Sequence, residues 1–494
     1  MNRLRTCLDR PLAGFLAALV VLLQARAASA LPWQGLVEEL KKVEAGAEGR
    51  LRYEWWSGLE AAPAGDPDYD FFSLRVRPYA RYPGERFTFF FQFQYAGGFD
   101  LPQEAVSGPG AAYFGASTPK EDPQATDVLE LYMQARDLLL KGLGFRVGRQ
   151  AIQEGLEVVY DDPAFNWLKK ARLSERLVGI WEWPNVGRRF DAADVFFGTT
   201  DLHLDVYAAK VLAGGVEYGE AMSPLDDLDL LGGSVTLKRG AVLKATEFRL
   251  FEIYCRDDRT SAEQVAGGAI ELHSAGGSLA GIYPGPGPGQ LDLLLWGCYQ
   301  WGDWGRQDHR AYAVVAETGY QMKDLWSKPW LRAGLAHASG DGDPARGEHK
   351  SFFNLVPTNH KYYGYLDTTA LSNLVNAYFQ LLLRPADKLV LQADGHLFWL
   401  DEGADSWYAG SGAVTDRIFG FAGGYDASKG TSARLTGGKR FVGSELDLTA
   451  TCNAYEYVEF QAGYSHFFGA EGAERAFPAQ KSADWFFLQT SVRF

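Results

Sequence analysis

The chain has little of what most proteins use to cross-link a fold, cross a membrane by helix or grip nucleic acid. Only four of its 494 residues are cysteine. Cys7 lies in an N-terminal leader; Cys255, Cys298 and Cys452 are odd in number and widely spaced. That pattern excludes a disulfide framework and leaves them as small packing residues. No apolar run reaches the ~20 residues of a spanning helix. Positive charge is also short, with 48 Lys and Arg against 62 Asp and Glu and a net charge of −14. Such a balance makes a poor nucleic-acid binder, so no nucleic-acid partner is expected. Linkers are missing too, although a soluble chain of this length should divide into several cores joined by them.

The one sizeable apolar run, Pro11 to Leu23, follows Arg3, Arg5 and Arg10 and leads into "ARAASA", which ends in Ala28-Ser29-Ala30. Basic start, short apolar centre and small-residue end make a secretory signal peptide over residues 1–30, with cleavage expected after Ala30. Losing its four Arg and one Asp takes the net charge from −14 to −17 for a mature unit of residues 31–494. The acid surplus sits in loop-like stretches such as "ASGDGDPARGE" and "DEGADSWYAG".

What the sequence has is alternation. In "RFTFFFQFQY", Phe87, Phe89, Phe91, Phe93 and Tyr95 share a face opposite Arg86, Thr88, Phe90, Gln92 and Gln94. In "FFSLRVRPYAR", Phe72, Leu74, Val76, Pro78 and Ala80 oppose Ser73, Arg75, Arg77, Tyr79 and Arg81. A strand with an aromatic side and a guanidinium side fits a wall with lipid outside and water inside. Strands of this kind are expected near 51–60, 70–82, 86–96, 127–136, 143–151, 190–198, 202–212, 229–238, 242–254, 265–274, 290–301 and 309–321. Six more follow near 328–338, 374–384, 388–399, 443–453, 457–467 and 485–494, which makes an even total of eighteen.

Connections give a second reading. Long stretches near 97–126, 152–189, 339–373, 400–442 and 468–484 are separated by tight turns such as "PGE", "TTD", "RPAD" and "NAYEY". Outer-membrane barrels alternate in this way, with short periplasmic turns and long extracellular loops; sandwiches and propellers have no reason to. "AGGSLAGIYPGPGPGQ" breaks the pattern and predicts a longer periplasmic excursion. Trp55, Trp56, Trp399 and Trp485 lie near strand ends, as interfacial girdles do. The fold class is therefore all-β: a single transmembrane antiparallel β-barrel of about 18 strands in a Gram-negative outer membrane, delivered by the barrel assembly machinery and bathed in outer-membrane lipid. In the last segment, Phe486, Leu488, Thr490, Val492 and Phe494 form one face, and the strand is expected to pair with the first, near Leu51 to Glu60.

Several stretches carry a family likeness in order along the chain: "FRVGRQAI" at 145–152, "YQWGDWG" at 299–305, "HASGDGDP" at 337–344, "PTNHKYYGYLD" at 357–367 and "VGSELDLTATCNAYEYVEFQAGYSHFFG" at 442–469. Together they resemble the alginate export family of outer-membrane barrels. The resemblance implies a monomeric barrel, a pore lined by positive residues and an anionic polysaccharide or oligosaccharide as partner.

A polyuronate carries a carboxylate on every sugar, and planar guanidinium groups suit carboxylates. Strand parity places Arg75, Arg77, Arg81, Arg86 and Arg136 toward the lumen, and Arg146 with them. Arg149 falls on the outer face by simple parity; a bulge at Gly148 would turn it inward. Glu130, Glu445 and Asp447 are lumenal acids able to pair with these arginines or to weaken binding locally along a path.

Asp341 and Asp343 open like a calcium loop, but the later ligands are missing, so a turn is expected and no metal or cofactor site. His337, His349 and His360 have no metal spacing and are expected to be solvated loop residues. Catalysis is not expected: His273 and Ser274 are adjacent and alternate to opposite faces. The alternative functions are a porin for small anionic sugars or solutes and, less favoured, an outer-membrane enzyme acting through paired carboxylates.

Two outcomes follow from the sequence. The mature chain, beginning at Leu31, should fractionate with the outer membrane, and recovery in soluble periplasm would contradict the barrel. Deleting Phe494 should lower membrane insertion and raise proteolysis, measured by protease protection in cells; normal insertion would remove that residue from the assembly signal.

Overall fold

The computed structural model describes residues 41–61, 67–105, 107–116, 120–260, 266–344, 347–409 and 433–494. The expected signal peptide and cleavage site fall outside the described residues. Eighteen antiparallel strands form one closed sheet. They are β1 (Glu44–Glu60), β2 (Asp68–Pro83), β3 (Phe87–Phe99), β4 (Gln124–Arg136), β5 (Leu143–Gln150), β6 (Phe190–Gly198), β7 (Leu202–Leu212), β8 (Pro224–Leu237) and β9 (Thr246–Asp257). After these come β10 (Ile270–Pro284), β11 (Gln290–Trp304), β12 (Gln307–Gln321), β13 (Trp330–Ala338), β14 (Leu374–Ala386), β15 (Leu389–Trp399), β18 (Phe441–Tyr455), β19 (Val458–Gly469) and β20 (Gln480–Arg493). A separate hairpin, β16 (Ser406–Tyr408) and β17 (Ala433–Leu435), sits in the connection between β15 and β18. Among the described residues no helix is long and apolar enough to cross a membrane; the strands cross instead.

Each strand pairs with its neighbours in sequence, and β20 returns to β1 in register from Glu48 with Arg493 to Ser57 with Asp484. Ala47 and Phe494 then exchange backbone hydrogen bonds of 2.8 and 3.1 Å. The first and last strands thus close the edge, as the alternation of the final segment implied. Outward faces are apolar and exposed, as at Phe87, Phe89 and Phe91 on β3 and Leu488 on β20, while Gln92, Gln94 and Phe487 are buried inside. Cys255 and Cys298 are buried and Cys452 is half-buried, all as free thiols.

Four expectations need correction. "AGGSLAGIYPGPGPGQ" is mostly strand β10, and only residues 285–289 turn. Its glycines hid the alternation because aromatic neighbours need the room: a Cβ on Gly276 would meet the Phe251 ring at 2.6 Å, and one on Gly281 the Tyr283 ring, also at 2.6 Å. Trp56 and Trp485 point into the barrel rather than to a girdle; each is buried, and the indole N–H of Trp485 donates to Glu54 at 3.2 Å. The stretches 152–189 and 339–373 are not free extracellular loops but fold into the lumen. The first contains a short helix, Pro163–Leu168, capped by Asp162, and a π turn, Lys169–Leu173, which bury Phe165, Leu168, Lys169, Arg172 and Leu173.

His349 and His360, finally, are buried rather than solvated, because the second inserted segment presses both against the wall. Nδ1 of His349 lies 2.8 Å from Nδ1 of His309, and its ring stacks on Trp304 at 4.0 Å. His360 lies 2.8 Å from Asp367, and His337 stands 2.9 Å from Asp401. Asp341 accepts from the amides of Asp343 and Lys350, which fits the turn expected there.

The tight aromatic–glycine contacts make the wall testable. A Cβ on Gly232 would lie 2.3 Å from the Tyr207 ring. Gly232→Val should therefore cost about 1–3 kcal/mol and reduce the fraction of chain that migrates as the compact, heat-modifiable band on unheated gels, whereas Gly49→Val, with open space around it, should not.

Candidate functional site: the lumen

The lumen is built from two sources, the inward residues of the strands and the inserted segments. Alternation on β1 and β2 turns Arg50, Arg52, Glu54, Ser73, Arg75 and Arg77 inward, where all are buried. Against them lies the end of the first inserted segment, "WEWPNVGRR", residues 181–189. Arg75 reaches the Glu182 carboxylate at 2.9 Å, Arg189 reaches it at 3.3 Å, and Arg77 pairs with it as well. Arg50 donates to the main-chain carbonyls of Trp183 and Pro184, each at 3.0 Å. Arg52 donates to Trp183 O at 3.1 Å and lies over that indole, 3.8 Å from its centre.

Asn185 ties the segment to the wall, donating to Leu74 O at 3.0 Å and Gly97 O at 3.1 Å. Arg189 also pairs with Glu130 at 2.7 Å. Burial alone would raise the Glu182 carboxyl, but Arg77, Arg75 and Arg189 hold it far below the ordinary carboxylate range. Arg188, on the same segment, is pushed down to about 9 by burial and by Arg259.

The segment also reaches the other end of the barrel. Arg239, in the turn after β8, pairs with Asp162 at 2.6 Å. Lys169 pairs with Glu247 at 2.8 Å, and Tyr160 donates to the same carboxylate at 2.6 Å. Trp167 packs on Trp330, the first residue of β13, with ring centres 4.6 Å apart. Arg172 forks onto Glu317 at 2.9 and 3.0 Å, and Arg176 joins it at 3.2 Å. The two inserted segments are bonded to each other through Val178 and Val356 and through Lys361 and Glu175 at 2.8 Å.

Around the wall the charges separate by sector. Arginines gather on β1 and β2, whereas Asp394 on β15 and Glu445 and Asp447 on β18 form a buried carboxylate group. Glu445 accepts from the amide of Leu366 at 2.9 Å, and Asp447 from that of Tyr365 at 3.4 Å. Gly364 permits this approach, since a Cβ there would meet Glu445 at 2.4 Å.

The residues singled out in the sequence fall in different places. Arg75 and Arg77 stand at the Glu182 cluster. Arg146 pairs with Asp194 at 3.2 Å on the inner face. Arg81 and Arg136 are exposed at the turn ends of their strands, Arg81 with Glu44 at 3.1 Å and Arg136 over the Phe196 ring. Arg86 is not on a strand at all; it occupies the turn before β3, because the chain reverses one residue later than alternation suggested.

Arg149 requires a correction. Gly148 does take a positive φ of 120°, but the ladder keeps register through it, so Arg149 stands opposite exposed Leu131 and beside Asp191. It is an outer-face residue with a two-pronged bond to Asp191 of 2.8 and 3.0 Å. Sequence reasoning missed Arg50, Arg52, Arg172, Arg176, Arg188, Arg189 and Glu182. The signal was present in "KKARLSER" and "GRR", a density of cations unusual for a loop expected to stand in water, next to buried-type Leu, Val and Trp.

Comparisons place the architecture among known proteins. Outer membrane protein OpdK from Pseudomonas aeruginosa has the same fold with a TM-score of 0.53 at 9% identity, covering 91% of this chain and 99% of that one. OccK5 (OpdH) from the same organism gives 0.55 at 10% identity over 92% and 98% of the two chains. OccAB3 from Acinetobacter baumannii gives 0.56 at 9% identity over 91% and 99%. No curated protein matches the chain. The family model described as "Alginate export" matches residues 41–482. A closed eighteen-stranded barrel with a polar, charged lumen and that match together make this chain an outer-membrane pore protein of the alginate export family.

Proposed function

We propose that the barrel passes an anionic polysaccharide, an alginate-like polyuronate, along the arginine sector of its lumen. The observation that carries this reading is the imbalance around Glu182: Arg75 and Arg77 share that one carboxylate, Arg189 is divided between it and Glu130, Arg50 is held by main-chain carbonyls, and Arg52 by a carbonyl and Glu54. Glu182 occupies the place of a uronate carboxylate. When residues 181–189 withdraw, Arg189 leaves with them, and the wall arginines Arg75 and Arg77 lose their partner and offer planar, bidentate donors to the next carboxylate that arrives. Leaving them unpaired is costly, about 3–5 kcal/mol for a buried charge that loses its partner, so exchange of one carboxylate for another is the low-energy route. The charge that matters is local. A mature net charge of −17 spread over loops is screened beyond about 8–10 Å, and an anion in the lumen meets arginine first.

A second reading, a porin for small anionic solutes, is favoured by the likeness to OpdK of Pseudomonas aeruginosa, which has been solved with vanillate. Planar-bilayer conductance separates the two: reversible block by polyuronate supports polymer passage, and free conduction unaffected by polyuronate supports the small-solute porin.

Two further outcomes are expected. Arg75→Glu/Arg77→Glu leaves lipid-facing residues untouched, so the barrel should assemble while anion preference falls or reverses and block by polyuronate weakens. Unchanged reversal potentials would remove these arginines from the path. The second concerns the other inserted segment. Burial and the neighbouring His309 hold the His349 imidazole well below its ordinary value; it is therefore neutral while docked, with Glu348 and Arg310 paired to each other nearby at 3.1 Å. As pH falls below about 6.5 the undocked segment takes up a proton that the docked one does not, so docking weakens with acid. Channel openings should become more frequent from pH 7 to about 5, and His349→Gln should flatten that dependence.

A further inference from the structure

Three of the short turns differ from the rest. The turns after β4, β8 and β12, residues 137–142, 238–245 and 322–329, expose large apolar side chains at their tips. Leu139 is 91% exposed, Trp326 81% and Val242 61%, with Leu138, Leu140, Leu243 and Leu325 beside them. Of the other turns at this end, "PGER", "TTD" and "GPGPG" are small or polar, and the turn after β18 exposes the aromatic Tyr455 and Tyr457 but no aliphatic tip.

These tips are not frayed ends. Asp137 accepts from the Gly142 amide at 2.5 Å, and Leu143 N donates to Leu140 O at 3.0 Å. Thr246 N donates to Leu243 O at 3.0 Å. Met322 N donates to Pro329 O at 2.8 Å, and Lys328 N to Leu325 O at 2.9 Å. Each turn is held by its own backbone and presents its apolar residues outward by construction. In water this is unfavourable, and contiguous exposed apolar surface marks a contact.

Two features identify the contact. The tips continue the lipid-facing surface of the strands that flank them, through exposed Leu131 and Val147, Leu237 and Leu250, and Leu331. Exposed lysines sit beside them: Lys141 in the first turn, Lys244 in the second, Lys323 and Lys328 in the third. Apolar tips flanked by lysine match the boundary between acyl chains and anionic headgroups, where the stems of lysine lie along hydrocarbon and the ammonium meets phosphate. An aromatic such as Trp326 favours the same depth. Of the acids near these turns, Asp137 accepts from the Gly142 amide, Asp162 is paired with Arg239, and Asp324 lies beside Lys323.

We propose that these three turns form an interfacial collar that binds anionic phospholipid in the periplasmic leaflet, seating the barrel at a fixed depth. The test uses the full mature barrel reconstituted into phosphatidylcholine vesicles containing, at equal mole fraction, either phosphatidylglycerol or phosphatidylcholine brominated near the headgroup end of the acyl chain. The difference in fluorescence between the natural chain and Trp326→Phe isolates Trp326 from the other tryptophans. Brominated phosphatidylglycerol should quench that difference signal about two-fold more than brominated phosphatidylcholine at low salt, and Lys323→Gln/Lys328→Gln should abolish the preference. Equal quenching by both lipids would overturn the anionic headgroup. No quenching by either, with quenching by aqueous iodide instead, would overturn the membrane contact and leave the face to a protein partner.

Discussion

A strand edge cannot face hydrocarbon, and the rest of this protein depends on that constraint. Closing eighteen strands through β1 and β20 satisfies the backbone, and antiparallel closure puts both terminal strands' outer ends on the short-turn side. It also divides every strand into a lipid face and a lumen face. The lipid face must be apolar at every second residue, which frees the lumen face to carry arginine and carboxylate that no water-soluble core of this size would tolerate in such number. Those charges then need partners of their own, and the inserted segments provide them.

The pairing is uneven, and the unevenness has functional content. On the β12 side the balance is close: Arg172 and Arg176 meet Glu317, and Arg332 meets Asp292 at 2.7 Å. Around Glu182 the shortfall is larger, since five guanidinium groups, Arg50, Arg52, Arg75, Arg77 and Arg189, stand against three carboxylates, Glu54, Glu130 and Glu182, the last itself one-third exposed. A fully matched wall would hold its plug permanently. A wall short of carboxylates holds it while offering the same site to a carboxylate from elsewhere, so that on the proposed function docking of the segment and binding of a polyanion would compete for one set of donors.

The barrel was legible in the sequence because its causes are local. Phe87, Phe89 and Phe91 declare a lipid face by spacing alone, and the β20 alternation required a partner for its free edge. Where glycine replaced the diagnostic side chain, as in β10, the spacing fell silent although the strand persisted. The lumen was only partly legible for a different reason. Parity placed Arg75 and Arg77, but whether a lumenal arginine meets water, a carboxylate or a carbonyl depends on what fills the barrel, and insertion of residues 151–189 is a tertiary fact without a period. Arg149 shows the limit in miniature: a positive φ at Gly148 is a local property, yet the unbroken ladder around it decides which way the next side chain turns.

The division of the lumen into sectors completes the physical argument for a polyanion. Asp394, Glu445 and Asp447 lie across the sheet order from Arg50, Arg75 and Arg77 only by way of the closing strands β19 and β20. In the proposed passage, a chain of carboxylates would be drawn to the basic strands and pushed from their acidic neighbours, so that its path is set by both signs together. In that proposed passage, repulsion from the acidic sector would also limit how tightly the basic sector can hold, because each sugar bound there feels like charge from the neighbouring strands. On the proposed function, a uniformly basic lining would bind a polyuronate and keep it, whereas a lining with an adjacent acidic sector would let successive sugars trade places along the arginines, which is what passage requires.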